Sequence, residues 1–299
     1  MEQNSKRHHY IPQFFLKGFT NENNLFYLYK VQQSKIEKNL YSPNSVFFEN
    51  YRNTIIYKDE ESDIIEKIYS DFDNTFALFF NEVRKGVPED ELFSNEVLVC
   101  IKQFLAIFLC RLPIIDKDID FVINNLDYTK TRNILTVNGI NIQNKEDIKK
   151  KLSENKDFRY FFRCFILPLL IFDLRAEDNG RWYLFDLGIN KICCDSPILI
   201  KNYDLANLLS FNTDFIFPIT SNKLLVHSMN KNICKNNISS LFYTEVDILL
   251  FWKATKYVVC SDKEYFENIK MIKETAKETI SFEELNEHVF EILESSNKK

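Results

Sequence analysis

The sequence predicts an α+β fold: an N-terminal β-hairpin, central mostly buried helices, a short-stranded antiparallel sheet and C-terminal helices. Three observations predict it. Two apolar extended runs open the chain, spacings of three and four then dominate from about residue 61 to 170, and short strand-like runs follow residue 180. Strands and helices that come in blocks pack as α+β, whereas strict alternation would build a parallel sheet. No internal repeat interrupts this order. With 299 residues the chain can bury a large core without a disulfide or a metal. Its 28 Phe and 14 Tyr against only 5 Gly disfavour phosphate-cradling loops and tight hairpin-rich all-β folds.

The elements follow in order. An apolar segment around Tyr10-Ile11-Pro12 and Phe14-Phe15-Leu16 leads to a strand over Leu25–Tyr29 and a second near Ile36–Tyr41. A third extended piece is expected near Ser45–Phe48. From Glu61 to Arg84, Ile64, Ile65, Ile68, Phe72, Phe76 and Phe79 recur at helical spacing, with Ser62 as N-cap and Gly86 as stop. The next helix, Asn95 to Arg111, is apolar almost all round and therefore buried; Pro113 ends it. Helices at about 116–135 and 145–170 are separated by an Asn138-Gly139 turn. After Asp178-Asn179-Gly180 come strands at Trp182–Phe185, Lys191–Cys194, Pro197–Ile200, Phe215–Phe217 and Lys223–Val226. A helix over Thr244–Cys260 and a charged helical tail over Phe266–Leu293 close the chain. These elements predict one α+β domain over residues 1–265 and a tail over 266–299. The tail carries Ile269, Ile272, Ala276 and Ile280 on one side, a stripe that packs either on the domain or against a second copy as a homodimer.

A formal net charge of −5 disfavours a duplex-binding protein, since phosphate neutralisation supplies most of such affinity. A nucleotide or short strand entering a pocket is compatible with it. The basic group Lys145, Lys149, Lys150 and Lys151 reads as a solvated helix face. Seven cysteines without a Cys-x-x-Cys pair are the usage of a reducing compartment. The polar start predicts no signal peptide, and the apolar runs fall short of the ~20 residues a span requires. A cytoplasmic protein with no membrane partner is the expectation.

Three segments can carry chemistry. His8 and His9, two of only four histidines, precede an apolar segment that would pin them. A neutral imidazole binds a divalent metal or shuttles a proton near pH 7, but neighbours on an extended chain face opposite ways. The alternative is a surface pair or a structural hydrogen bond. Glu66 and Asp73, seven apart on one helix, share a face beside Phe72 and Phe76. Such carboxylates hold a hard cation or act as acid and base; otherwise they are the charged flank of an amphipathic helix. Asp195, in Cys194-Asp195-Ser196-Pro197, either orients a histidine or serves as a turn device. Walker, dinucleotide-binding, nucleophile-elbow and zincin motifs are absent, as is zinc-ligand spacing.

The opening Arg7-His8-His9-Tyr10-Ile11-Pro12-Gln13-Phe14-Phe15-Leu16 resembles the hallmark of a large, mostly bacterial family of unknown function, domain family 4238. Its members usually begin His-His-Tyr-Val-Pro-Gln-Phe-Tyr-Leu. The resemblance extends to the Glu66 and Asp73 pair, Arg111-Leu112-Pro113, Asp195-Ser196-Pro197 and Phe217-Pro218-Ile219-Thr220. Two departures are Ser196 in the later turn, where the family often has Asp-Asn-Pro, and only Gln103 near a Gln usual in the second helix. The resemblance implies that His8, His9, Glu66, Asp73, Arg111 and Asp195 form one site.

The leading expectation is a hydrolase acting on a phosphodiester or nucleotide. His8 or His9 would be the base or a metal ligand, and Glu66 and Asp73 metal ligands or the acid–base partner. Arg111 would stabilise anionic charge, and Asp195 would orient a histidine. Magnesium, manganese or zinc would suit the His9, Glu66 and Asp73 set. His-His-Tyr-Ile-Pro also resembles the first strand of ββα-metal nucleases, but no histidine follows before His227 to complete that motif. The competing expectation is a non-catalytic ligand- or protein-binding module of a defence or toxin-type system.

Overall fold

The computed structural model describes residues 6–57, 60–116, 136–137, 140–141, 145–168, 180–188, 191–202, 213–230 and 232–296. The fold is α+β, and every strand pairing described is antiparallel. The chain divides into two compact units. The first gathers Met1–Tyr10, Phe48–Phe79 and Ser94–Ala176; the second gathers Ile11–Phe47, Phe80–Phe93 and Glu177–Lys299. The boundary expected at residue 265 is therefore not where the chain divides.

In the first unit, Arg7–His9 pairs with Phe48–Asn50, with His8 opposite Glu49. The extended piece expected at Ser45–Phe48 begins later, because Pro43–Ser45 forms a 3-10 turn ahead of it. Ile55–Tyr57 and Glu60–Ser62 form a hairpin, so the following helix starts at Ile64 rather than Glu61. That helix runs to Lys85, stays in this unit as far as Phe79, and is followed by Gly86 at φ 86°. The helix Asn95–Arg111 has the predicted bounds and stops where Leu112 turns extended before Pro113. Phe76 meets Phe104 edge-on at 5.3 Å between these two helices. The helix expected over 145–170 is broken at Asn155, whose side chain accepts from Phe158 N at 2.9 Å and caps Lys156–Phe161. It continues as a π-helical turn over Phe162–Ile166. Of the helix expected at about 116–135 all but Asp116 lies outside the described residues, as does the Asn138-Gly139 turn.

In the second unit two four-stranded sheets share a core. One has the order Cys193–Cys194, Tyr257–Cys260, Phe26–Lys30, Lys35–Tyr41. The other runs Leu199–Ile200, Phe215–Thr220, Lys223–Ser228, Arg181–Asp186. Phe215–Thr220 and Lys223–Ser228 are buried at every position, which explains their nearly continuous apolar sequence. The helix expected over Thr244–Cys260 is instead Ser240–Lys253, and Tyr257–Cys260 is an interior strand. Its Tyr-Val-Val-Cys run suits a pleated, buried surface better than a helix.

The expected C-terminal tail is two helices, Lys263–Ala276 and Phe282–Ser295. Phe266, Ile269, Leu285, Val289, Phe290 and Leu293 join the same buried cluster as Tyr29, Ile216 and Phe251. The tail thus packs back on its own unit. All seven cysteines are free thiols. Among the described residues no helix is long and apolar enough to cross a membrane.

Candidate active site

The first unit holds a chain of charged and polar side chains that includes four of the six expected residues, His8, Glu66, Asp73 and Arg111; His9 joins it through its backbone carbonyl, while its ring lies 5.6 Å from that of Phe48. The floor of this cluster is built by secondary structure. On the helix from Ile64, Glu66, Tyr69 and Asp73 fall at spacings of three and four and share one face. Arg111, the last residue of the neighbouring helix, reaches this face. Its Nη1 donates to Asp73 Oδ1 at 2.5 Å, its Nη2 donates to the His9 carbonyl at 2.9 Å, and its guanidinium lies 4.2 Å from the Tyr69 ring centroid. Burial acts to lower the Arg111 pKa, but the charges of Asp73, Tyr69 and Glu66 more than offset it and the net direction is up. This guanidinium is permanently cationic. Burial pushes the Asp73 carboxyl up, against the opposing pull of Arg111.

His8 anchors the second half. It is fully buried, and its Nδ1 accepts from the Asn53 backbone N–H at 2.9 Å. A turn over Tyr51–Asn53 presents that amide, with Tyr51 in the left-handed region at φ 55° and its N–H donating to the Lys6 carbonyl at 2.9 Å. With the Nδ1 lone pair occupied, the neutral ring carries its proton on Nε2 and is a donor there. Glu66 Oε1 stands 3.9 Å from His8 Nδ1 and accepts from Asn53 Nδ2 at 2.5 Å. On its other side, Asn53 Oδ1 accepts from Arg163 Nη2 at 2.9 Å.

Arg163 comes from the π-helical turn, a geometry often found at functional positions because it re-aims one side chain. Its Nη1 pairs with Asp116. Arg52 donates to the same carboxylate at 2.7 Å and to Glu49 at 2.7 Å. Burial works against the Arg163 charge, but Cys164, Tyr69 and Asp116 outweigh it and raise its pKa. Between Arg111 and Arg163 the buried Tyr69 hydroxyl is pushed well up, by burial first and by Cys164 second, so it stays protonated. The arginine side chains are 2 to 7% exposed, whereas Glu66, Asp73, Glu49 and Asp116 are 15 to 40% exposed. The arrangement is a cationic floor under a carboxylate rim.

The remaining expectations are placed elsewhere. Asp195 is in the second unit, where its carboxylate accepts from Thr255 N at 3.0 Å, Lys256 N at 2.9 Å and the Thr255 hydroxyl. It fixes the turn that delivers the Tyr257–Cys260 strand. Among the described residues none of these bonds goes to a histidine. The expected metal ligands Glu66, Asp73 and His9 are not gathered around one point. Asp73 is drawn to Arg111 and Glu66 to Asn53, and among the described residues no three His, Cys, Asp or Glu side chains form a metal-holding group.

Sequence reasoning missed Arg52, Asn53, Tyr69, Asp116 and Arg163. Arg163 had a usable signal, a lone cation inside an apolar run, which is rarely buried without a partner. Tyr69 completes the stripe of Glu66 and Asp73. Asn53 had no such signal, because an Asn in a turn is common and the partners of its backbone amide and of both ends of its side chain come together only in the fold.

No curated protein and no solved structure matches the chain. The family model described as "Protein of unknown function (DUF4238)" matches residues 7–264, a span that contains every residue of the cluster, and the chain belongs to that family.

Proposed function

We propose that the protein is a cytoplasmic bacterial hydrolase of phosphodiesters or nucleotides, serving defence against phage or a stress response. The observation that carries the reading is the convergence of Arg111 and Arg163 with His8, Glu66 and Asp73 in one unit. Phosphoryl transfer builds negative charge, and preorganised guanidinium groups in a dry site stabilise it. Arg111 and Arg163 would take that role. His8, fully buried with its Nδ1 taken by the Asn53 amide, would position Asn53 and Glu66 rather than abstract a proton. Glu66, on the half-open rim, is the carboxylate placed to accept a proton from water.

The test is turnover of bis(p-nitrophenyl) phosphate, nucleotides and short oligonucleotides with magnesium, manganese or zinc. Glu66→Gln keeps the acceptor for Asn53 and should lower kcat by about 10² to 10⁴-fold with the fold intact. No turnover of any substrate by wild type, or full activity in Glu66→Gln, overturns the reading. One observation favours the second reading, a non-catalytic binding module: Arg52, Arg111 and Arg163 are each already paired with a carboxylate. Binding without turnover would establish that alternative.

A further inference from the structure

The second unit contains a cleft of about 680 Å³ between the Leu199–Asn202 edge, the end of the Ser240–Lys253 helix and the first turns of the Phe282–Ser295 helix. That volume suits a small molecule. Trp252 and Phe282 supply aromatic walls.

Two buried polar atoms on residues of this cleft lack a partner among the described residues. Asn286 is only 7% exposed; its Nδ2 donates to the carbonyls of Ile200 and Lys201 at 3.0 Å each, while its Oδ1 accepts nothing. Trp252 Nε1 is likewise buried with nothing to donate to. A buried polar group left without a hydrogen bond is costly, so these two atoms mark a place where a ligand supplies the complement. Charge narrows the ligand further. Lys201 is paired with Glu294 and Lys253 donates to the Ile198 carbonyl, so both cations are engaged. Glu283 and Glu287, one helical turn apart and exposed, form no ion pair among the described residues.

We propose that this cleft binds a nucleoside rather than a nucleotide. Once the Asn286 and Trp252 side chains turn toward the cleft, a nucleobase edge, which carries both an N–H and an acceptor, complements Asn286 Oδ1 and Trp252 Nε1. Its faces are buried by aromatic side chains as in other single-base sites. Glu283 and Glu287 accept from sugar hydroxyls and repel a phosphate. The site is separate from the arginine cluster and does not depend on that cluster being catalytic.

The experiment is calorimetric titration of the full chain with adenosine, guanosine, cytidine and uridine, each beside its 5′-monophosphate. At least one nucleoside should bind, and more tightly than its monophosphate. Trp252→Phe, which keeps a ring and removes the donor, should weaken binding by about tenfold, the worth of one hydrogen bond. Glu287→Gln, an exposed change that leaves the fold intact, should narrow the gap between nucleoside and monophosphate. Absence of binding by all four nucleosides, a monophosphate bound as tightly as its nucleoside, or unchanged affinities in both variants overturns the proposal. Should Trp252→Phe unfold, Glu287→Gln alone decides.

Discussion

At the residue scale, the molecule spends its polar side chains in two ways. Arg111, Arg163 and His8 are held by several partners each, in positions that only the fold assembles. Half of that was legible in the sequence: Glu66, Asp73 and Arg111 are chemically conspicuous, and helical spacing alone puts the two acids on one face. The rest was not, because Asn53 contributes through a backbone N–H and through side-chain bonds to Glu66 and Arg163, and Asp116 through two arginines, all with partners distant in sequence. Lys253 shows the other use. Its half-buried side chain ends at the Ile198 carbonyl, and burial lowers its pKa from 10.5 to about 8. Below pH 8 the lysine is charged whether folded or not. Between about 8 and 10.5 the unfolded chain holds the proton and the folded chain has lost it, so stability contributed by this group rises with pH through that window. The rise is at most about 1.4 kcal/mol per pH unit. Urea unfolding of wild type and Lys253→Met across this range should show wild type gaining on the variant as pH increases. A constant difference between the two would show that Lys253 titrates normally.

At the element scale, capping decides where the C-terminal helices divide. The apolar stripe of Ile269, Ile272, Ala276 and Ile280 runs through the break, which is why the sequence pattern reads as one helix. Ser281 overrides it with a capping box: its hydroxyl accepts from Glu284 N at 3.2 Å, and the Glu284 carboxylate accepts from Ser281 N at 2.9 Å. Those hydrogen bonds also hold the Glu284 carboxyl below its usual range, the Ser281 backbone first and its hydroxyl second. Ser281→Ala removes one half of the box and should cost about 0.5–2 kcal/mol, read as a lowered midpoint in thermal or urea unfolding. Since the second helix begins beside the Asn286 cleft, fraying there should also weaken any ligand held in it. The strand Tyr257–Cys260 was hidden for a different reason. Four residues directly after an apolar helix carry too little periodicity to announce a change of element, and its partners are more than sixty residues away on one side and more than two hundred on the other. Helices with long, regular apolar spacing, such as Asn95–Arg111, were legible to the residue.

At the scale of the whole molecule, each compact unit is assembled from three separate stretches of chain. Sequence order conveys composition and local period, but it does not say that Ile11–Phe47 folds with residues beyond 177. This is why blocks of strands and helices correctly indicated α+β while the domain boundary at 265 did not hold. Strand Phe26–Lys30 pairs with Tyr257–Cys260, so the second unit cannot close until nearly the whole chain is present. The last two helices then complete it. Phe266, Ile269, Leu285, Val289, Phe290 and Leu293 are each at most 5% exposed. Full burial of one such side chain is worth about 1.5–3 kcal/mol, so the six together, before their ordering is discounted, contribute an amount comparable with the whole margin of roughly 5–15 kcal/mol that keeps a domain folded. A chain ending at residue 265 should therefore fail to fold its second unit rather than shed an inert tail. It should bind a hydrophobic dye, lose its cooperative unfolding transition and be cut by protease within 11–47 and 177–265. A truncated chain that kept the wild-type transition midpoint would show instead that the two helices are an appendage, and the assignment of the C-terminal segment to this core would fall.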